Sequence, residues 1–295
     1  MTGYEELRTG AAWIDLRGRG LIRVTGEDRA RLLHAMTTNH IQQMAPGDWC
    51  YAFFLNAQGK ILADANVLCR EGEFWLDVEP DRREFLCEHL DRYIIADDAT
   101  VEDVSEFYAI LGVEGPGAAA LGVEGFVEGI TAAGGAGGRV YAGADERETV
   151  LARLKALGVA EAGAEAVNTV RLENARPRYG VDVKENHLVQ ETRLMHAVSF
   201  AKGCYLGQEI VERVRARANP HRYLTQVWID GEAVPETGAA LMGDDALAGK
   251  VTSAAWSPAL GKVAALAYVQ TAWAAAGKEM TCDGARAVVS ERTVA

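Results

Sequence analysis

Long apolar runs are missing from this chain of 295 residues. None approaches the ~20 residues that a bilayer-spanning helix needs, so a membrane protein of that kind is not expected. Cysteines are few and far apart, at Cys50, Cys69, Cys87, Cys204 and Cys282. No CxxC pair or Cys/His group has zinc-site spacing. The odd count and the dispersion fit a reducing compartment, with most thiols acting as small core hydrophobes. The six histidines form no HExxH or other i, i+4 metal pair, and there is no GxSxG, so metalloprotease and serine-hydrolase chemistry falls away. Gly134-Gly135-Ala136-Gly137-Gly138 lacks GxxxxGK[ST] or GxGxxG spacing and reads as a flexible surface hairpin or loop. Positive charge is short too. Thirty Lys and Arg face 42 Asp and Glu, a formal net charge of -12, which opposes generic binding to nucleic acid or anionic membrane. Glu5, Glu6, Arg8, Asp15, Arg17 and Arg19 crowd the first twenty residues, so no signal peptide is expected. These absences predict a soluble cytoplasmic protein without direct nucleic-acid binding.

What remains is ordinary for a globular protein, with 49% hydrophobic and 24% charged residues. The length predicts two or three structural units. In the first third, Ala12–Leu16, Leu21–Thr25, Cys50–Leu55, Ile61–Cys69 and Glu73–Val78 read as strands. Glu27–Met36 reads as a helix, and Glu79-Pro80-Asp81 opens another to about Tyr93, with proline in the first turn. Val101–Val104 and Phe107–Val113 read as strands, and 146–157 and 164–174 as helices. This order predicts α+β layers rather than a doubly wound sheet. From about Asn219-Pro220 onward, Arg222–Asp230, Lys250–Trp256 and Lys262–Val269 predict a small all-β unit.

The most informative run is Lys202-Gly203-Cys204-Tyr205-Leu206-Gly207-Gln208-Glu209, which leads into a charged helical pattern to Arg217. Glycine suits positive φ or close approach of backbone to a ligand. A lysine before Cys204 and a helix N-terminus after it would both favour thiolate. The alternative is a buried cysteine at a tight loop-to-helix turn. Arg171-Leu172-Glu173-Asn174-Ala175-Arg176-Pro177-Arg178-Tyr179-Gly180-Val181-Asp182 carries a helix end into an irregular loop, where binding groups concentrate. Glu191 is either a solvated charge or a carboxylate accepting a fork of hydrogen bonds from a heterocycle such as a pterin. Asp64, within a strand pattern, either faces solvent or points at a ligand amine as electrostatic partner or proton acceptor. Arg213, Arg215, Arg217, His221 and Arg222 make a basic run. It is either a solvated helix face paired with Glu209 and Glu212 or a strip for an anionic tail, a substrate carboxylate or RNA phosphate.

Lys202 to Glu209 resembles the KGC(Y/F)xGQE signature of the YgfZ-type folate-binding proteins of iron–sulfur cluster maturation. These are relatives of the T protein (aminomethyltransferase) of the glycine cleavage system. Gly26–Asp48 with Leu55–Asp64, Arg171–Asp182, and Gly249–Ser253 with Ser257–Gly261 and Ala267–Val269 resemble other segments of that superfamily. The resemblance implies an α+β fold, a three-unit cloverleaf around a central channel with a small C-terminal β-barrel. Residues 1–218 would form two interleaved α+β subdomains and 219–295 the barrel. It further implies tetrahydrofolate or a one-carbon derivative in the channel, with Glu191 at the pterin and Asp64 near the reactive nitrogen. Tyr179, Tyr205 and Arg222 complete the expected cofactor contacts. Cys204, with Lys202, is implied to handle a cluster or sulfur-linked intermediate, as a shared iron–sulfur ligand. The leading expectation is a folate-binding accessory factor for assembly or repair of iron–sulfur proteins, including tRNA-modifying radical enzymes, with client or assembly proteins as partners. The alternative is a folate-dependent aminomethyl or methyl transferase, and a third is a non-catalytic RNA- or protein-binding scaffold.

Overall fold

The computed structural model describes residues 1–217 and 220–294, the side chain of Arg217 excepted. The chain starts with a short helix α1 (Tyr4–Thr9) and strand β1 (Ala12–Asp15), then β2 (Gly20–Thr25) and helix α2 (Arg29–Met36). Leu32, Leu33 and Met36 recur at helical spacing and are buried together. Strands β3 (Trp49–Leu55), β4 (Ile61–Arg70) and β5 (Glu73–Val78) follow, the first two joined by a turn at Asn56 to Gly59. Pro80 sits in the first turn ahead of helix α3 (Arg83–Asp91), where its missing N–H costs nothing. Strand β6 (Thr100–Asp103) closes a five-stranded antiparallel sheet in the order β3-β4-β5-β2-β6. Helices α2 and α3 cover one of its faces, with Ile22, Phe54, Val67, Leu76, Leu86 and Leu90 in the shared core.

A second five-stranded sheet runs β10-β1-β7-β9-β8, built from β7 (Tyr108–Glu114), β8 (Phe126–Glu128), β9 (Gly137–Gly143) and β10 (Ala160–Glu161). Helix α4 (Arg147–Ala156) buries Leu154 against β7 and β9. The two sheets meet through Leu21, Leu68, Trp75, Ile110, Ile130 and Tyr141, with the Trp75 ring 4.7 Å from Tyr108 and 5.9 Å from Tyr141. The glycine run is therefore not a surface loop throughout. Gly137 and Gly138 open β9 and are buried, and a Cβ on Gly138 would lie 2.1 Å from the Val127 carbonyl. Close pairing of β8 with β9 is what asks for glycine there.

Helix α5 (Ala164–Glu173), the short helix α6 (Val189–Thr192) and helix α7 (Gln208–Arg217) lead to the C-terminal unit. There β11 (Arg222–Ile229), β12 (Ala240–Gly243), β13 (Ala246–Ser257), β14 (Lys262–Gln270), β15 (Glu279–Cys282) and β16 (Ala285–Val289) form a closed six-stranded barrel in the order β11-β14-β13-β12-β15-β16. The expected start of this unit is near Asn219-Pro220, of which Asn219 lies outside the described residues. Strand β14 is buried on both faces. Val263, Ala265, Ala267 and Val269 fill the barrel, while Ala264, Leu266 and Tyr268 pack on the front of the molecule beside Phe53, Leu172 and Val189.

The expected α+β architecture with a terminal barrel is what the chain adopts. The joint between barrel and front uses the segment Arg171–Asp182, the helix end and following loop expected to gather binding groups. Arg171 pairs with Asp182 at 2.8 Å, and Asp182 Oδ1 accepts the hydroxyls of Thr252 and Ser253, each at 2.5 Å. Glu173 Oε1 accepts the Tyr4 hydroxyl at 2.5 Å and the Ser257 hydroxyl at 2.6 Å. Charged groups this deep are tolerated because their lone pairs are filled.

Candidate functional site

Cross-strand register puts one row of polar side chains on the inner face of the first sheet. Tyr51 on β3 is opposite Asn66 on β4, which is opposite Asp77 on β5. Asp64 lies two residues from Asn66, so strand alternation turns it to the same face. Apolar neighbours at Ala63, Ala65 and Val67 turn the other way, into the helix-covered core. Above the row, between this sheet, β1, β9, α5 and the loop after α5, is a cavity of about 440 Å³. That is within the range of small-molecule sites. Tyr51, Asp64, Asn66, Glu79, Arg139 and Tyr179 contribute to its walls.

A buried charge network braces the floor. Arg19 donates from Nε to Asp77 Oδ1 and from Nη1 to Glu79 Oε1, each at 2.5 Å. Arg139 and the Tyr141 hydroxyl both reach Asp77 Oδ2, the latter at 2.7 Å. Burial alone would push the Asp77 carboxyl up, but Arg139 and Arg19 outweigh it and hold it below the usual carboxylate range. Asp64 has the opposite balance. Burial raises its pKa to about 6 against the opposing pull of the Tyr51 hydrogen bond and Arg19. Its Oδ2 accepts the Tyr51 hydroxyl at 2.7 Å, while Oδ1 is buried without a hydrogen-bond partner among the described residues. Asn66 Oδ1 is buried and unpartnered too. A carboxyl poised near neutrality beside unfilled acceptors can exchange a proton with a bound amine.

Of the residues singled out in the sequence, Asp64 and Tyr179 line this cavity together with Arg171, Arg176, Pro177 and Arg178 of the same segment as Tyr179. The Tyr179 hydroxyl donates to the Leu62 carbonyl at 2.5 Å, tying the loop after α5 to β4 next to Asp64. Glu191, Arg222, Tyr205, Lys202 and Cys204 are not among the lining residues. Glu191 accepts from Arg222 Nε at 3.1 Å and from the Leu188 N–H at 3.0 Å, the second bond capping α6. Arg222 also stands over the Tyr268 ring at 4.8 Å. Tyr205 is buried with its hydroxyl unpartnered.

The thiol of Cys204 is exposed, so the reading of it as a buried packing cysteine is corrected. Lys202 is corrected in the other direction. Its ammonium is buried and donates to the carbonyls of His34 and Thr37, each at 2.5 Å, and of Asn39 at 2.8 Å. All three of its donors are spent at the C-terminal end of α2, where a cation meets the negative end of the helix. It acts as a strut for the loop and not as a partner of the thiolate. Only the second glycine of the bracket is demanded by backbone. Gly207 has φ 85°, and a Cβ there would lie 2.6 Å from the Asn56 carbonyl, whereas one on Gly203 would meet His34 Nε2 at 3.8 Å. In the basic run, Arg215 stacks on Phe200 at 4.0 Å and pairs with Glu212 at 3.6 Å.

Sequence reading missed Tyr51, Asn66, Asp77, Arg19 and Arg139. The available signal was the break in alternation along β4 and β5, where polar residues stand opposite one another only once the register is known.

Comparison with known proteins adds a family context. The GCVT N-terminal domain matches residues 2–126, and the glycine cleavage T-protein C-terminal barrel domain matches residues 222–293. An aminomethyltransferase of Streptomyces avermitilis is 30% identical over an alignment covering 92% of this chain and 81% of that protein. One from Streptomyces coelicolor is 29% identical, covering 92% and 82%. The crystal structure of glycine cleavage system aminomethyltransferase T from Bartonella henselae has a TM-score of 0.87 at 20% identity, over 98% of this chain and 87% of that one. That last likeness is one of fold.

Proposed function

The chain belongs to the glycine cleavage T-protein (aminomethyltransferase) family, and from that premise we propose that it is a folate-dependent one-carbon transferase working in the cavity above Asp64. The observation that carries the reading is the Asp64 carboxyl, raised to about 6 by burial, held by Tyr51 and left with an unpartnered Oδ1. The cavity suits a reduced pteridine with an anionic tail. Asp64, Asn66 and Glu79 supply acceptors for ring N–H groups, and the exposed Arg17 and Arg178 supply cations toward solvent. Tetrahydrofolate, when bound, supplies the amines that carry a one-carbon unit. Asp64 holds or takes the proton of an attacking or leaving amine at Oδ1, and Tyr51 keeps the carboxyl aimed by donating to Oδ2. The network of Arg19, Asp77 and Arg139 keeps the floor rigid and the site dry. Tyr179 fixes the loop that forms the opposite wall.

The test is calorimetric titration with tetrahydrofolate, followed by incubation with an aminomethyl donor. Methylenetetrahydrofolate formed at enzymatic rates, and abolished by Asp64→Asn, supports the reading. Absence of binding sinks it. The carried-over role of Glu191 is tested by the same titration on Glu191→Ala. A loss of tenfold or more puts that glutamate on the pterin, and an unchanged affinity confines the ligand to the walls around Asp64.

One observation favours a second reading, a folate-binding accessory factor for iron–sulfur protein assembly or repair. Cys204 is exposed on the loop ahead of α7, within a KGCYLGQE run. Among the described residues no group of three or more His, Cys, Asp or Glu is placed to hold a metal, so any cluster on Cys204 would take its remaining ligands from a partner. Complementation with Cys204→Ala, read by the activity of an iron–sulfur enzyme, decides it; full rescue removes the cysteine's role.

A further inference from the structure

We infer that Arg176 makes the Asp64 cavity a receptor for a small zwitterion, an amine donor whose own carboxylate is read by the guanidinium while its amine faces Asp64. The inference rests on the one-carbon reading above and names the class of amine it uses. Five other arginines line the same cavity. Four are tied to a carboxylate, Arg17 to Asp15, Arg19 to Asp77, Arg139 to Asp77 and Arg171 to Asp182, and the fifth, Arg178, is exposed to solvent. Arg176 is half-buried and, among the described residues, has no carboxylate within ion-pair distance. Its guanidinium is 5.7 Å from the centre of the Tyr51 ring, whose hydroxyl is 2.7 Å from Asp64. Its charge acts on the carboxyls of Asp64 and Glu114. Both Glu114 oxygens are already filled by the N–H groups of Ala132 and Ala133, at 2.6 and 2.8 Å.

A half-buried cation with no counter-ion is costly unless a ligand supplies one. Arginine suits this task because its planar fork takes a carboxylate with two parallel hydrogen bonds. Arg176 and Asp64 both neighbour Tyr51, the cation near its ring and the carboxyl at its hydroxyl. An α-amino acid or its N-methyl derivative carries a carboxylate for the first and an amine for the second. A simple alkylamine satisfies only half of the pair. A carboxylate could also come from the glutamyl tail of a folate, and the experiment separates the two sources.

The full-length protein is titrated calorimetrically with N-methylglycine, methylamine, tetrahydrofolate and tetrahydropterin, which lacks the tail. The same is done for Arg176→Gln and Arg176→Lys, with thermal melts checking that each variant is folded. The expected result is saturable N-methylglycine binding, at least tenfold tighter than methylamine. Arg176→Gln should weaken it at least tenfold and Arg176→Lys less, with tetrahydropterin unaffected. If wild type binds N-methylglycine no better than methylamine, the inference is overturned whether or not the glutamine variant folds. If Arg176→Gln weakens only tetrahydrofolate, the carboxylate is the tail's and the zwitterion is overturned. Arg176-dependent amino-acid binding without any tetrahydrofolate binding would keep this inference and remove the folate reading instead.

Discussion

Replacing Asp64 by asparagine should make the free protein more stable at pH 8, although the variant removes the group on which the proposed chemistry depends. The sign follows from protonation. An ordinary aspartate has a pKa near 3.8, and burial lifts Asp64 to about 6 in the folded chain. Below about pH 4 both folded and unfolded states hold the proton, and the residue is neutral to stability. Between about 4 and 6 the unfolded chain releases its proton first, so folded stability falls as pH rises. Above 6 the penalty is complete, and the gap corresponds to about 3 kcal/mol. Asparagine carries no charge into the cavity, and its carbonyl oxygen can still accept the Tyr51 hydroxyl. For a chain of this length the gain at pH 8 should appear as a rise in melting temperature of about 4–6 °C. Thermal melts of both proteins from pH 4 to 8.5 would measure it, with the difference between them closing toward pH 4. A variant that melts lower at pH 8, or a gap that ignores pH, would refute the account of Asp64 as a carboxyl held at the expense of stability.

Other perturbations have equally definite outcomes. Lys202→Met leaves the carbonyls of His34, Thr37 and Asn39 without their donor and should cost about 2–4 kcal/mol in urea denaturation; a loss below about 1 kcal/mol would mean the lysine is not a strut. Asp182→Ala strands the buried Arg171 guanidinium and should cost about 3–5 kcal/mol, with the barrel's amide protection falling alongside. His187 is held neutral, its pKa lowered to about 4 by burial and then by the charge of Arg222. Its contribution is present above pH 6.5 and is lost as pH falls from about 6.5 toward 4, because the unfolded imidazole binds a proton that the folded one refuses. His187→Gln should flatten that acid limb by about 2 kcal/mol, and an unchanged limb would assign it to other groups.

Much of the framework was legible in the sequence because it is locally encoded. The apolar, aromatic and β-branched runs of β2 to β5, the Leu32, Leu33 and Met36 spacing of α2 and the proline at the head of α3 each follow from chain geometry within a few residues. Strands β8 and β10 were not foreseen. At three and two residues they carry no periodic signal, and they exist because longer neighbours pair with them. Asp64 was legible as an anomaly in a strand but not as a buried group. Whether a carboxylate on a strand faces water or a cavity depends on what covers that face, here β1, which precedes Asp64 in the chain, and β9 and α5, which lie far beyond it.

By itself, then, the sequence determined the α+β character, the terminal all-β unit and the presence of a glycine-bracketed cysteine, since short-range propensity and pattern suffice for these. Tertiary structure alone decided that Lys202 serves the end of a helix, that Arg171, Glu173 and Asp182 bind the barrel to the front, and that Arg176 has no carboxylate partner among the described residues. Charge pairing depends on distances between segments far apart along the chain, and those distances are fixed only when sheets, helix and barrel have packed.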